Sequence, residues 1–269
     1  MNRLKAALER AHVEQRSALI VYLCAGDPDL DTTAELLLAC AAAGADVIEL
    51  GMPFSDPTAD GPVIQRASER ALRSGTTLRG VLALVERVRK HSQVAIALFG
   101  YYNPILAFGE AALAKAAKQA GVDGVMVVDL PPEQAEPLLS VLRPHGLSFI
   151  PFVAPTTPDA RVQRIAAAAD AFLYYVALTG VTGAAADLDQ ATRRAARIRE
   201  LTGLPVAVGF GVKTAADATT AARADGVVVG SALCSIIERT ARPELVPAVR
   251  AFVAELRAAM PRAASGARG

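Results

Sequence analysis

ALIVYLCAGDPDLDTTAELLLACAAAGADVIELG, residues 18–51, holds one full repeat of the pattern that decides the fold. Ala18–Leu23 is apolar throughout and does not alternate with polar residues, which is how a strand buried on both faces of a parallel sheet reads. A polar turn, GDPD at Gly26–Asp29, leads into the Ala/Leu-rich segment Thr32–Ala43, whose length and composition predict a helix stopped at Gly44. Val47–Leu50 then opens the pattern again.

Six further strand candidates follow downstream: Val94–Phe99, Gly124–Val128, Phe149–Val153, Ala171–Val176, Pro205–Val208 and Gly226–Val229. Between them lie helical segments such as Leu78–His91, Glu110–Ala120, Glu133–Arg143, Pro158–Ala169 and Leu188–Thr202. Eight strand–helix units without a break in composition predict an α/β protein, a single (β/α)8 TIM barrel, in preference to an open sheet. The charged amphipathic start, MNRLKAALERAHVEQR, adds an extra N-terminal helix. The barrel is expected to occupy residues 1–260 and to leave PRAASGARG, 261–269, as a disordered tail. Ser92–Gly109 is uncharged and long enough to raise a membrane span, but Gly100 and Asn103-Pro104 interrupt it, so it reads as a strand plus a loop.

Hydrophobic residues make up 52% of the 269, enough for one sizeable core. The formal charge of +1, without a basic block, argues against a nucleic-acid or membrane surface as partner, because either would need a clustered positive field. Cys24, Cys40 and Cys234 are too few and too scattered for a disulfide framework or a metal site, and they fit a reducing cytoplasm. The N-terminus lacks the apolar core of a signal peptide. A soluble cytoplasmic protein is expected.

Barrel enzymes carry their chemistry at the C-terminal ends of the strands. Glu49 stands at such an end inside the apolar run Val47–Gly51, where desolvation disfavours its charged form and makes it able both to give and to take a proton. A structural ion pair with an arginine is the alternative. The loop after it, MPFSDPTADG at Met52–Gly61, carries Asp56 and Asp60, each by itself readable as a turn former or helix cap. With Glu49 they make three carboxylates around one mouth. The histidines His12, His91 and His145 lie in or beside helices and turns away from that mouth, which leaves a histidine-bound metal without ligands. Lys213 is the lone lysine near a strand end and reads as a solvated helix residue, so a Schiff base is not expected.

Glycines gather after the last three strands, at Thr179–Gly183, Gly209–Gly211 and Gly230-Ser231, the last opening a helical run. Close backbone approach and the N–H groups of a helix start favour an anion there, and these loops are a frequent phosphate site in barrels. The aromatics Phe99, Tyr101, Tyr102, Tyr174 and Tyr175 either line a pocket for a flat ring or pack the core.

At ELGMPFSDPTADGPVIQ, Glu49–Gln65, the chain resembles the tryptophan synthase alpha subunit family almost residue for residue. YYNP at Tyr101–Pro104, DLPPE at Asp129–Glu133, APTTP at Ala154–Pro158, GVTG at Gly180–Gly183, GFG at Gly209–Gly211 and VVVGSA at Val227–Ala232 extend the resemblance over nearly the whole chain. The resemblance implies a lyase performing retro-aldol cleavage of indole-3-glycerol phosphate to indole and glyceraldehyde 3-phosphate, with Glu49 and Asp60 catalytic. It further implies that Tyr22, Ile64, Phe99 and Met126 contact the indole, that Tyr174 supports the pocket near Glu49, and that Thr182, Gly183, Phe210, Gly211, Gly230 and Ser231 hold the phosphate end. It implies mobile loops at Pro53–Asp60 and Leu178–Asp189. The implied partner is a beta subunit in a two-alpha, two-beta complex, met through Pro53, Phe54, Asp56, Asn103 and Pro104–Phe108. Pyridoxal phosphate is then expected only in that partner, with no cofactor or metal in this chain. Departures from the family pattern include Cys24 for threonine, Thr58 for an apolar residue, Phe99 for methionine, Val128 for proline or alanine, and Ala177 for serine. The two lost hydroxyls, at Cys24 and Ala177, each weaken a hydrogen bond by about 1 kcal/mol without removing a proton carrier. A stand-alone indole-releasing lyase and a non-catalytic regulatory barrel are the alternatives.

Overall fold

A ring of parallel strands surrounded by helices is the architecture of the computed structural model, which describes residues 2–176, 184–209 and 211–260. The strands are β1 (Ala18–Cys24), β2 (Val47–Gly51), β3 (Ala95–Gly100), β4 (Gly124–Val127), β5 (Ser148–Phe149), β6 (Phe152–Val153), β7 (Leu173–Val176), β8 (Val206–Gly209) and β9 (Gly226–Val229). Their order, β5-β4-β3-β2-β1-β9-β8-β7-β6, is parallel at every pairing.

The two strands at the ends of that order are halves of the single strand expected at Phe149–Val153. Pro151 has no N–H to give to a ladder and splits the strand. The ring closes across the split all the same. Ile150 donates its N–H to Val125 on one side at 3.1 Å, and the Pro151 carbonyl accepts from Tyr174 N–H on the other at 3.1 Å. The result is the eight-stranded barrel that the sequence predicts, with one strand interrupted.

Around the ring run α1 (Arg3–Val13), α2 (Leu30–Ala42), α3 (Pro62–Arg73), α4 (Leu78–Arg89), α5 (Tyr102–Phe108), α6 (Glu110–Ala120), α7 (Glu136–Leu142), α8 (Asp159–Ala168), α9 (Ala184–Thr202), α10 (Ala215–Ala221), α11 (Ser231–Arg239) and α12 (Arg242–Ala259). Local chemistry sets several ends. Asp29 caps α2 by accepting from Thr32 N–H at 2.8 Å, Thr214 and Asp217 form a reciprocal capping box on α10, and Gly121 ends α6 in the left-handed region at φ 89°. Two expectations need correction. The loop read after Phe99 contains α5, because Pro104 sits in its first turn, where a missing N–H costs nothing. The helix expected over Glu133–Arg143 is a 3₁₀ turn at Pro132–Gln134 followed by the shorter α7, since Pro137 can only stand near a helix start.

Side-chain alternation divides the core in two. Leu19, Val21, Leu23, Ile48 and Leu50 face the helices, whereas Ala18, Ile20, Val47, Ala97, Met126, Phe172 and Ala207 fill the barrel. The floor of the barrel is α1, whose Leu4, Ala7, Leu8 and Ala11 are buried against those interior residues. A repeated device ties the strands together at this end. Asp46, Asp123, Asp170 and Asp225, just ahead of or between strands, accept the backbone N–H of Leu19 (2.9 Å), Ile96 (2.9 Å), Phe149 (3.2 Å) and Val206 (3.0 Å). Each also pairs with arginine: Arg16 with Asp46, Arg89 with Asp123, Arg143 with Asp170 and Arg199 with Asp225. Among the described residues no helix is long and apolar enough to cross a membrane, and Cys24, Cys40 and Cys234 are buried free thiols. The expected tail from Pro261 lies outside the described residues.

Candidate active site

Period-two alternation along β2 turns Val47 and Glu49 into the barrel and Ile48 and Leu50 towards the helices. Glu49 stands in register with Tyr22 on β1 and Ala97 on β3. It is 1% exposed, and its Oε1 has no hydrogen-bond partner. Among the described residues no arginine pairs with it, so the structural ion pair that the sequence left open is not formed there. Burial alone pushes its carboxyl up to about 8, which keeps it largely protonated at neutral pH.

Two glycines make room for the tyrosines beside it. A Cβ on Gly51 would sit 2.4 Å from Tyr22 Oη, and one on Gly209 would sit 2.3 Å from Tyr174 Oη. Tyr22 and Tyr174 are buried and hold their phenol protons well beyond the ordinary range, chiefly through desolvation; after it come Cys24 and Cys234 for Tyr22, and the nearby Glu49 and Asp60 for Tyr174. Edge-on contacts link Tyr22 to Phe99 (5.3 Å between centroids) and Phe99 to Phe152 (5.9 Å), and Phe152 packs on Tyr174 at 5.1 Å. Four rings therefore make an arc of barrel wall. Phe152 is an addition that the sequence reading missed.

The cavity in front of this wall measures about 300 Å³, at the small end for a small-molecule site. Tyr22, Glu49, Ile64, Phe99 and Tyr174 line its ring-shaped part, and Gly209, Gly211, Gly230 and Ser231 line the other side. Among the described residues no side chain caps α11, which leaves the N–H groups of its first turn, beginning at Gly230-Ser231, available to an anion. A larger groove of about 780 Å³ runs between the loop 52–61 and α3, lined by Phe54, Asp56, Gln65 and Arg73 among others. It is an outer surface without a buried proton carrier, so the smaller cavity is the site.

Asp60 does not line the cavity; its neighbour Gly61 does. Its carboxylate is held at the rim by Tyr101, whose hydroxyl donates to Asp60 Oδ2 at 3.0 Å and accepts from Ala59 N–H at 2.9 Å. Tyr101 is 3% exposed and also stacks on Phe54 at 5.2 Å. Desolvation raises the Asp60 carboxyl, and the Tyr101 bond opposes that rise. Tyr101 is a second functional residue that the sequence reading did not single out for this task. A tyrosine in YYNP, one strand away from an acidic loop, was the available signal.

Other expectations divide. Asp56 is exposed on the outer groove and bonded to Ser55, so two carboxylates, not three, belong to the mouth. Met126 is fully buried in the barrel interior and does not line the cavity. His12 and His91 are exposed, and His145 bonds the Val141 carbonyl through Nδ1. Lys213 is exposed, with its backbone N–H on Asp217. Thr182, Gly183 and Phe210, with Ala177 and the first half of the expected Leu178–Asp189 loop, lie outside the described residues; its second half, from Ala184, is not loop but the start of α9. Among the described residues no three His, Cys, Asp or Glu side chains are placed to hold a metal ion.

Comparison with known proteins places the chain among known relatives. The family model described as tryptophan synthase alpha chain matches residues 8–261. The alpha chain of Cupriavidus taiwanensis is 48% identical over 263 residues, covering 97% of this chain and 99% of that one. That of Geobacter sulfurreducens is 47% identical over 262 residues, covering 97% and 99%. Among solved structures, tryptophan synthase subunit alpha from Legionella pneumophila superposes with a TM-score of 0.89 at 38% identity, covering 96% of this chain and 98% of that one. Tryptophan synthase from M. tuberculosis superposes at 0.87 and 34%, covering 97% and 99%.

Proposed function

The chain belongs to the tryptophan synthase alpha chain family, and from that membership we propose that it is the lyase cleaving indole-3-glycerol phosphate into indole and glyceraldehyde 3-phosphate. The observation that carries the proposal is Glu49: a buried carboxyl without a partner, facing a small aromatic cavity whose far side is glycine backbone and a bare helix start.

In the proposed reaction the phosphate sits against Gly211, Gly230 and Ser231, and the indole lies along the arc of Tyr22, Phe99 and Tyr174. Neutral Glu49 gives its proton to the ring carbon that bears the side chain. The ring becomes an electron acceptor, and the carbon–carbon bond to the side chain breaks. The Glu49 carboxylate takes the proton of the adjacent hydroxyl, which becomes the aldehyde of glyceraldehyde 3-phosphate. The electron pair of the broken bond restores the aromatic ring, so Glu49 ends as it began. Asp60 accepts the indole N–H and steadies the positive charge that appears there. Both proton transfers at one site require a carboxyl poised near the working pH, which burial supplies.

The family name supports a beta-subunit partner, and the reading extends to a two-alpha, two-beta complex in the cytoplasm, entered through Pro53, Phe54, Asp56, Asn103 and Pro104–Phe108. Pyridoxal phosphate belongs to that partner's chemistry. The unpartnered Glu49 weighs against a purely regulatory barrel, which would have no use for so costly a burial. Release of glyceraldehyde 3-phosphate from indole-3-glycerol phosphate, followed with a coupled dehydrogenase, is the test. Wild-type turnover that rises when the beta subunit is added is the expected result. Turnover without stimulation points to a stand-alone lyase, and no turnover in either condition ends the reading.

A further inference from the structure

Asp60 and the phosphate side of the cavity sit at the starts of two different helices, α3 and α11, that begin far apart in sequence. Gln65, in the first turn of α3, donates from Nε2 to the Asp60 carbonyl at 2.9 Å, so the carboxylate moves with this helix. Gly230-Ser231 opens α11. Where the two helices lie against each other, Arg70 of α3 makes a three-way tie. It donates from Nε and Nη2 to both carboxylate oxygens of Asp27 at 2.8 Å each, and from Nη1 to Glu238 of α11 at 3.0 Å. Arg66, one turn earlier, forks onto the same Glu238 at 2.6 and 2.9 Å. The Asp27 side chain is fully buried just beyond β1. The adjoining Gly26 carbonyl accepts from Ser74 beyond the end of α3 at 3.1 Å. Facing surfaces between the two helices and β1 are small or compact: Ala67, Ala71, Cys24 and Cys234, with Tyr22.

A fork onto a buried carboxylate fixes direction as well as distance, which a point charge cannot do. From this arrangement we infer that Arg70 is a positioning residue: it sets the spacing between the Asp60 rim and the phosphate-facing start of α11. The inference rests on the lyase reading above. Its consequence is selective. Each helix start keeps its own ligand contacts when the tie is loosened, but a substrate anchored at one end no longer presents its ring nitrogen to Asp60 at the other.

The test measures Arg70→Lys, Arg70→Met and Glu238→Gln in the purified chain, at a temperature well below each variant's melting midpoint and normalised to folded protein. Glycerol 3-phosphate, as a competitive inhibitor, probes the phosphate side alone. Expected is a fall in kcat of roughly ten- to a hundredfold for Arg70→Met, as for an ångström-scale misplacement, with the glycerol 3-phosphate inhibition constant held within about twofold. Arg70→Lys, which keeps the charge and loses the fork, and Glu238→Gln, which loosens the α11 arm and leaves Asp27 paired, should fall between. Wild-type kcat per folded molecule in all three would show a tie that only stabilises, and would overturn the inference while the lyase reading stands. Loss of glycerol 3-phosphate binding in step with kcat would overturn it too, by showing that the phosphate side itself is damaged. An inactive wild type overturns the lyase reading, and the inference with it.

Discussion

The aspartates at the floor of the barrel and Glu49 at its mouth are treated in opposite ways. At the floor, Asp46, Asp123, Asp170 and Asp225 each hold a backbone N–H in the first two residues of a strand and an arginine. At the mouth, Glu49 is as deeply buried as any of them and has an oxygen with no partner at all. The same functional group is structural where its bonds are complete and reactive where one is withheld. A satisfied acid lowers the free energy of the fold; an unsatisfied one raises it and keeps its proton available.

That contrast is open to attack from both ends. The largest expected effect is Glu49→Gln, which should lower kcat by roughly 10²–10⁴-fold, about 3–5 kcal/mol of barrier, while leaving the protein folded. Near-normal release of glyceraldehyde 3-phosphate by this variant would erase the distinction. Its mirror image is Asp123→Ala, which strands the buried Arg89 and should cost about 3–5 kcal/mol in denaturant unfolding without changing kcat per folded molecule. A loss of kcat with unchanged stability would mean that the floor takes part in the chemistry.

Next comes the pH dependence of stability. The Glu49 carboxyl titrates near 4.5 when unfolded and about 8 when folded, so between those values the native state holds the extra proton. Its contribution is fully present below pH 4.5 and is lost as pH rises through 8. Glutamine does not titrate. Glu49→Gln should therefore gain on wild type from pH 5 to pH 8, by something of the order of 2–4 kcal/mol in unfolding free energy. Parallel stability curves would contradict the dry setting assigned to this side chain. The smallest effect sharpens the picture of Asp60. Tyr101→Phe removes the donor to its carboxylate, worth about 1.5–3 kcal/mol for a charged acceptor. The Asp60 carboxyl then rises, and the acidic limb of kcat/KM should move to higher pH. An unmoved limb would free Asp60 from that role.

The floor and the mouth also differ in how far they could be read from residues alone. Strands showed themselves because a segment buried on both faces has to be apolar on both faces, and Glu49 stood out as the one charge inside such a segment. Pro151 was visible as well, yet Phe149–Val153 reads as one apolar strand, and the break that divides β5 from β6 at the proline was not anticipated. Asn103-Pro104 misled in the other direction: a proline that stops a helix from within also starts one, and only the geometry beyond Tyr101 decides which. The Tyr101–Asp60 bond spans 41 residues and depends on where β3 stands beside β2, which no local pattern encodes. Asp56 and Asp60 look alike in MPFSDPTADG, but one turns to water and the other to the rim. The arginines that complete the floor aspartates come from neighbouring turns, helices and the chain's far end, as with Arg257 on Asp46, so their partners stayed hidden too.

The helix that seals the floor has a consequence for how the chain is made. Residues of α1 leave the ribosome before the strands that they contact, for Asn2 bonds the carbonyls of Asp123 and Gly146, Arg3 pairs with Asp123, and Leu4 fills the space that Gly124 leaves open. None of these partners exists until synthesis has reached Asp123. The helix must wait, its apolar stripe uncovered, until the strands behind it have assembled the surface that receives it.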